Sequence, residues 1–249
     1  MIDSKTLTYE PFQDTRKKQD PEFEGGDSGA LLLATDKSGK KYIVKHNFLM
    51  DAGNEFVGCW LAEKMEILSP KAHLLTPNEK FKCPCAVAIE YLDGLVPISE
   101  GKYDRYEMAP IFALHNLING EDGVSVEGLN GHICNYDFAE SFSNSSLEMF
   151  IAASVIDPSI LTSNIEQLLR SFSAALDFAD FKYPNYTENH GLDPVKFREL
   201  ALSAAYKLLE IEDEELVCIL DELSQIYPSF IVDYYINCIR IMQNRISEL

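Results

Sequence analysis

The sequence predicts an α+β fold in two lobes, a small antiparallel sheet carrying one helix followed by a mainly helical half. Three observations predict it. Before about residue 95, short runs of β-branched and apolar residues alternate with Gly, Pro and Asp turn signals, interrupted by a single helical-period segment. After that point apolar residues recur mostly at three- and four-residue spacing. The length, 249 residues with 46% hydrophobic, suits one large domain or two small lobes and can bury a core.

The elements follow in order. Residues 1–23 are polar and Pro-containing and read as an extended arm, leaving 24–95 for the first lobe and 96–249 for the second. Gly25-Gly26-Asp27-Ser28-Gly29 leads into an apolar run, Ala30 to Thr35. Asp36-Lys37-Ser38-Gly39-Lys40 is a turn, and Lys41-Tyr42-Ile43-Val44-Lys45 is the second strand of a hairpin. Asn54 to Leu68 reads as a helix, with Phe56, Val57, Trp60, Leu61, Met65 and Leu68 on one face, stopped by Ser69-Pro70. Trp60 is expected in the core. Ala72–Leu75 and Ala86–Leu92 read as strands, and Met108–Ile118 as a helix. Gly131–Asp137 reads as a strand ending on an acid, with His132 packed on it. Beyond residue 160 three or four helices are expected. Gly191-Leu192-Asp193-Pro194 marks one start, with Pro in the first turn. Glu212 to Glu215 marks another, acid complementing the helix dipole. Ile231, Tyr234, Tyr235, Cys238, Ile239, Met242 and Ile246 form the stripe of the last.

Charge excludes some functions. With 21 Lys+Arg against 40 Asp+Glu the formal net charge is −19. Phosphate backbones are bound through clustered Lys and Arg, so a generic nucleic-acid binder is excluded, and a broad basic membrane face is disfavoured. Lys37, Lys40 and Lys41 cluster on the hairpin turn, which reads as a solvated turn, with a small basic patch as the alternative. No stretch is long and apolar enough to span a membrane, and the N-terminus has no apolar signal core, so a cytoplasmic protein is expected. The six cysteines are scattered and read as reduced thiols. Cys83-Pro84-Cys85 is the one close pair, short of the four ligands zinc requires.

One constellation carries chemistry. A Gly-rich loop beside a hairpin can lay backbone N–H groups over phosphates. Lys45 sits at the end of a strand among β-branched residues, where an ammonium pointing into a cleft could grip nucleotide phosphates. Glu55, early in the following helix, is placed to hold it. The order Gly-rich hairpin, strand Lys, helix Glu is that of kinase nucleotide sites.

These segments resemble the N-lobe of HipA-like kinases, and also that of the type II phosphatidylinositol 4-kinases. Gly26-Asp27-Ser28-Gly29, Tyr42-Ile43-Val44-Lys45, Asn54 to Ala62 and Leu68-Ser69-Pro70-Lys71-Ala72 carry the resemblance. So does Ala88-Ile89-Glu90-Tyr91-Leu92-Asp93, similar to the hinge that meets adenine through backbone groups, and so does the last helix. Gly131-His132-Ile133-Cys134-Asn135-Tyr136-Asp137-Phe138 resembles the metal loop of the lipid-kinase-like branch. The resemblance implies a bilobed protein-kinase-like fold that transfers the γ-phosphoryl of ATP, with Mg²⁺, to a hydroxyl. It assigns Gly26, Ser28, Gly29, Lys45, Glu90, Tyr91 and Leu92 to the nucleotide and Glu55 to Lys45. Asp137 takes the metal.

The catalytic loop departs from the pattern. Asn119-Gly120-Glu121-Asp122 aligns Asp122 with the catalytic Asp, and five residues later stands Glu127 where the family has a metal-binding Asn. A second alignment uses His115 and Asn119 without an Asp. A third makes Asp137 catalytic, with Asn144 and Asp157 as its metal partners. The missing Asn leaves three functional classes open: a kinase acting on a protein, a kinase-like nucleotide-binding module without turnover, and a phosphoinositide kinase. HipA-like proteins include toxin kinases, and this branch also supplies secreted bacterial effectors that act in a host cytosol.

Overall fold

The structure is a computed structural model describing residues 1–12, 31–120, 124–142, 146–149, 151, 161–176 and 185–249. Its first half is built on a five-stranded antiparallel sheet of β1 (Thr8–Pro11), β2 (Leu32–Thr35), β3 (Lys41–Lys45), β4 (Ala72–Leu75) and β5 (Ala86–Glu90), in the order β1-β2-β3-β5-β4. The β2–β3 turn forms because the Asp36 side chain accepts from the backbone N–H of Ser38 at 2.8 Å and of Lys40 at 3.0 Å, while Gly39 takes φ +88°.

Strand alternation gives the sheet two faces. Ala34, Tyr42, Val44, Ala86 and Ala88 point to the back, where they pack with Leu7, Leu75 and Phe81 in a small separate core. The front carries Leu33, Ile43, Ile89, Lys45 and Val87, paired in register as Leu33 with Ile43, Ile43 with Ile89, and Lys45 with Val87. Helix α1 (Asp51–Lys64) packs against β4 and β5. It is buried over almost its whole length, which is why its apolar periodicity is blurred by Asp51, Asn54 and Glu55.

The second half begins with α2 (Met108–Leu117) and the hairpin β6 (Ser125–Leu129) and β7 (His132–Tyr136). The helices α3 (Leu161–Ala175), α4 (Tyr186–Asn189), α5 (Pro194–Tyr206), α6 (Asp213–Leu223) and α7 (Ser229–Ser247) follow. Asp193 caps α5 through Val195 N at 2.9 Å with Pro194 in the first turn, and Glu212 and Glu215 form a capping box on α6. The stripe of α7 is buried at all seven expected positions. The largest hydrophobic core runs from α1 through α2 to α7, so the helical half holds α1 in place as well as itself.

Four expectations are corrected. Part of the supposed N-terminal arm is sheet: β1 pairs with β2 from Thr8↔Thr35 to Pro11↔Leu32, while Ile2 bridges Leu75 at the other edge and Ser4 is fully buried. Polar side chains hid this, because an edge strand needs only backbone pairing. Helix α1 runs three residues earlier and ends four earlier than expected, since Glu66 takes a left-handed φ of 57° that breaks it. Strand β6 was not expected, although Asn130-Gly131, with φ of 53° and 86°, is the turn that closes β6 on β7. His132 is not packed on its strand: it is exposed and meets Glu107 at 2.9 Å.

Candidate active site

Three elements bring Lys45, Glu55 and Asp137 together. Lys45 ends β3 on the front face, Glu55 lies one turn into α1, and Asp137 follows β7. Lys45 Nζ lies 2.5 Å from Glu55 Oε1 and 2.6 Å from Asp137 Oδ1. The start of α1 is fixed from the far half. Tyr227 Oη accepts from Gly53 N at 2.9 Å and donates to Leu49 O at 2.6 Å. Tyr235 Oη donates to Asn54 Oδ1 at 2.7 Å, and Asn54 Nδ2 donates to Ala139 O at 2.6 Å. Asp137 itself has φ 65°, a conformation uncommon outside glycine that costs about 1–3 kcal/mol and is kept only where surroundings enforce it.

The ionisation states follow from one cation shared by two carboxylates. Burial alone would lower Lys45, but Glu55 and Asp137 outweigh it and hold the ammonium well above its ordinary value. Glu55 is fully buried, and that burial outweighs Lys45 and pushes its carboxyl up to about 7. Burial would also raise Asp137, yet Lys45 prevails at this half-exposed side chain and its carboxyl falls below the usual range. Asp51, one turn before Glu55, is pushed up to about 6 by burial, against the pull of Lys45, and Glu148, Glu140 and Asp137 add to the rise.

One cavity touches this group at Asp137, and a second lies on the β1 side of the sheet. A small one beside Asp137, about 30 Å³, is lined by His115, Gly120, Ser125, Asn135, Phe138, Glu140 and Ser141 as well as Asp137. It has room for one water or ion. The second, about 480 Å³, opens between Glu10, Pro11, Phe12, Leu33, Lys41 and Tyr91, and Phe12 and Tyr91 meet edge to face at 6.4 Å. It lies where β1, β2 and the end of β5 converge and is of small-molecule size.

Of the expected hinge, Glu90 N donates to Lys71 O at 2.8 Å and Tyr91 N to Lys41 O at 2.9 Å. Their amides are thus engaged in the sheet. The Glu90 side chain is pulled down by Lys40 and His73 against the effect of burial. Leu92 follows directly, its N–H in no backbone hydrogen bond among the described residues.

Gly26, Ser28, Gly29 and Asp122 lie outside the described residues, as do Asn144 and Asp157. What flanks the glycine run is clear. Phe12 N donates to Leu31 O at 2.9 Å, and Pro11 pairs with Leu32, which pairs with Val44. Phe12 and Leu31, the described residues on either side of that run, are therefore paired at the end of the sheet where Lys45 sits. The run was expected to lead into β2, and what the sequence reading lacked is the strand β1 before it. Glu127 is buried in β6 opposite Cys134 and is not among the residues lining the cavity beside Asp137.

Asn135 was missed. It is buried, lines that cavity, and donates from Nδ2 to Ser125 O at 3.0 Å. Alternation along β7 places it two residues before Asp137, a signal that the strand read from Gly131 to Asp137 already carried. Among the described residues no group of three or more His, Cys, Asp or Glu is arranged to hold a metal ion, and no helix is long and apolar enough to cross a membrane.

The architecture is thus α+β, a small antiparallel sheet with one helix followed by a mainly helical half, with a strand lysine paired to a helix glutamate and an acid after a hairpin. No family model and no curated protein matches the sequence. Among solved structures the chain is similar to the Helicobacter pylori proinflammatory kinase CtkA, with TM-score 0.41 and 11% identity, over 90% of this chain and 94% of that one.

Proposed function

We propose that this protein is a Mg²⁺-ATP-dependent phosphotransferase of HipA-like character, moving the γ-phosphoryl to a hydroxyl on a protein. The observation that carries the reading is Lys45 Nζ at 2.5 Å from Glu55 and 2.6 Å from Asp137. Glu55 keeps the ammonium charged and aimed, and Lys45 exchanges its Asp137 contact for nucleotide phosphates. Gly26, Ser28 and Gly29 would supply backbone N–H groups to those phosphates. Adenine occupies the larger cavity against Leu33 and Tyr91.

The residues present fit magnesium, which takes one or two carboxylates plus substrate phosphates and keeps several waters. Asp137 would hold it, with Asn135 beside it as the polar partner and Glu127 as the second choice. Bound there, Mg²⁺ would offset the charge on the transferring phosphoryl group. Asp122 orients the acceptor hydroxyl and takes its proton.

A nucleotide-binding module without turnover is the second reading, favoured by the burial of Glu127 in β6. A phosphoinositide acceptor is the third. Thermal shift with ATP, with and without Mg²⁺, followed by transfer of labelled phosphate to protein and to phosphoinositide vesicles, separates the three. A Mg²⁺-dependent rise in midpoint with labelling of protein supports the kinase. A rise without labelling favours the module, and no rise sinks both.

A further inference from the structure

The pair Cys83 and Cys85 takes no part in the reading above, yet its surroundings are specific. The two flank Pro84 in a bend between β4 and β5, Cys83 half-buried and Cys85 buried. With one residue between them, chain length alone keeps their Cα atoms within about 7 Å, close to the span a disulfide bridges, and Pro84 fixes φ at the residue between. The segment also touches what holds α1. Cys83 N donates to His46 O at 3.0 Å, and Lys82 N to His46 Nδ1 at 3.1 Å, next to Lys45. Cys85 Sγ donates to Ile226 O at 3.4 Å, beside the Tyr227 that anchors Leu49 and Gly53.

We propose that Cys83 and Cys85 form a reversible thiol–disulfide site, oxidised by low-molecular-weight disulfides, that alters the anchoring of the α1 start. Cys83 is the attacking group, since it is the more accessible. The neighbouring Cys85 brings the Cys83 thiol down to about 7, while Cys83 and burial hold the Cys85 thiol well above its ordinary value, so Cys83 is the one of the two that ionises near neutral pH. With glutathione disulfide as oxidant, the Cys83 thiolate attacks one sulfur, the glutathione S–S bond breaks, and one glutathione thiolate leaves. Cys85 then gives its proton to solvent and attacks the Cys83 sulfur. The Cys83–Cys85 bond forms and the second glutathione thiolate departs and is protonated. Two electrons pass from the protein thiols to the glutathione disulfide. Closing the bridge draws Cys85 Sγ away from Ile226 O and shifts the contacts of His46 and Tyr227.

Trypsin releases residues 83–102 as one peptide holding only these two cysteines. After treatment of the intact protein with glutathione disulfide, the wild-type peptide should lose two hydrogens and carry no glutathione, reversibly with dithiothreitol. Cys85→Ser should trap glutathione on Cys83, and Cys83→Ser should leave Cys85 unmodified. Oxidation should also lower the thermal midpoint by several degrees, restored on reduction. A stable glutathione adduct on the wild-type peptide, or an unmodified one while Cys218 reacts, overturns the site. An unchanged midpoint overturns its link to α1.

Discussion

Gly58 of α1 and Phe138 touch so closely that a β-carbon on Gly58 would stand 2.5 Å from Cγ of the Phe138 ring. This contact lies three residues from Glu55 and one from Asp137, so it fixes the distance between the two carboxylates that share Lys45.

Gly58→Ala ought to be costly here, though alanine is the better helix former by about 1 kcal/mol. Phe138 must move, and overpacking of that kind costs about 1–3 kcal/mol. Urea denaturation should show the loss, together with weaker Mg²⁺-nucleotide binding because Asp137 moves with its neighbour. A neutral or stabilising result would mean that the contact is loose.

Removing the cation leaves a buried acid alone. Lys45→Met should destabilise the fold by about 3 kcal/mol at pH 8, the range for breaking a buried pair. The loss should shrink at pH 6, where Glu55, already pushed up to about 7, takes a proton. Lys45→Met with Glu55→Gln should recover most of the stability and none of the phosphoryl transfer. If the double variant is no more stable than the single one, Glu55 is not the stranded charge.

Asp51 sets a pH dependence whose sign is opposite to that of a salt-bridged acid. Its carboxyl is pushed up to about 6 in the fold, against about 3.9 in an unfolded chain. The native state thus binds the proton more tightly, and stability falls as pH rises between these values, then stays level. Asp51→Asn should remove that part of the slope. Its advantage over wild type should grow from nothing at pH 4 to about 2 kcal/mol at pH 8. Parallel stability–pH curves for the two proteins would falsify the assignment.

Asp137→Asn separates metal from fold. Lys45 keeps Glu55, and the side chain at 137 is half-exposed, so stability should change by less than about 1 kcal/mol. The Mg²⁺ dependence of the ATP thermal shift should disappear. A shift as large and as Mg²⁺-dependent as in wild type would move the metal site elsewhere.

Much of the first half was legible because its signals are local. The Asp36 to Lys40 turn, the β-branched run around Lys45 and Pro194 after Asp193 each act within a few residues. The stripe of α7 was readable for the same reason, since it has one buried face. What stayed hidden was set by distant partners. Strand β1 is polar and exists through backbone pairing with a segment more than twenty residues away. The start of α1 is defined by Tyr227 and Tyr235, which no local pattern connects to Gly53 and Asn54.

The site divides in the same way. By itself the sequence determined that a lysine at a strand end, a glutamate early in the next helix and an acid after a Gly-His-Ile strand were the residues to bring together. Only the tertiary structure decided that one ammonium touches both carboxylates, and that burial raises Glu55 while Asp137 stays ionised. It also placed Asn135 rather than Glu127 at the cavity beside Asp137. Residue type and spacing are written in the chain, whereas desolvation and charge sharing depend on which surfaces the core closes over.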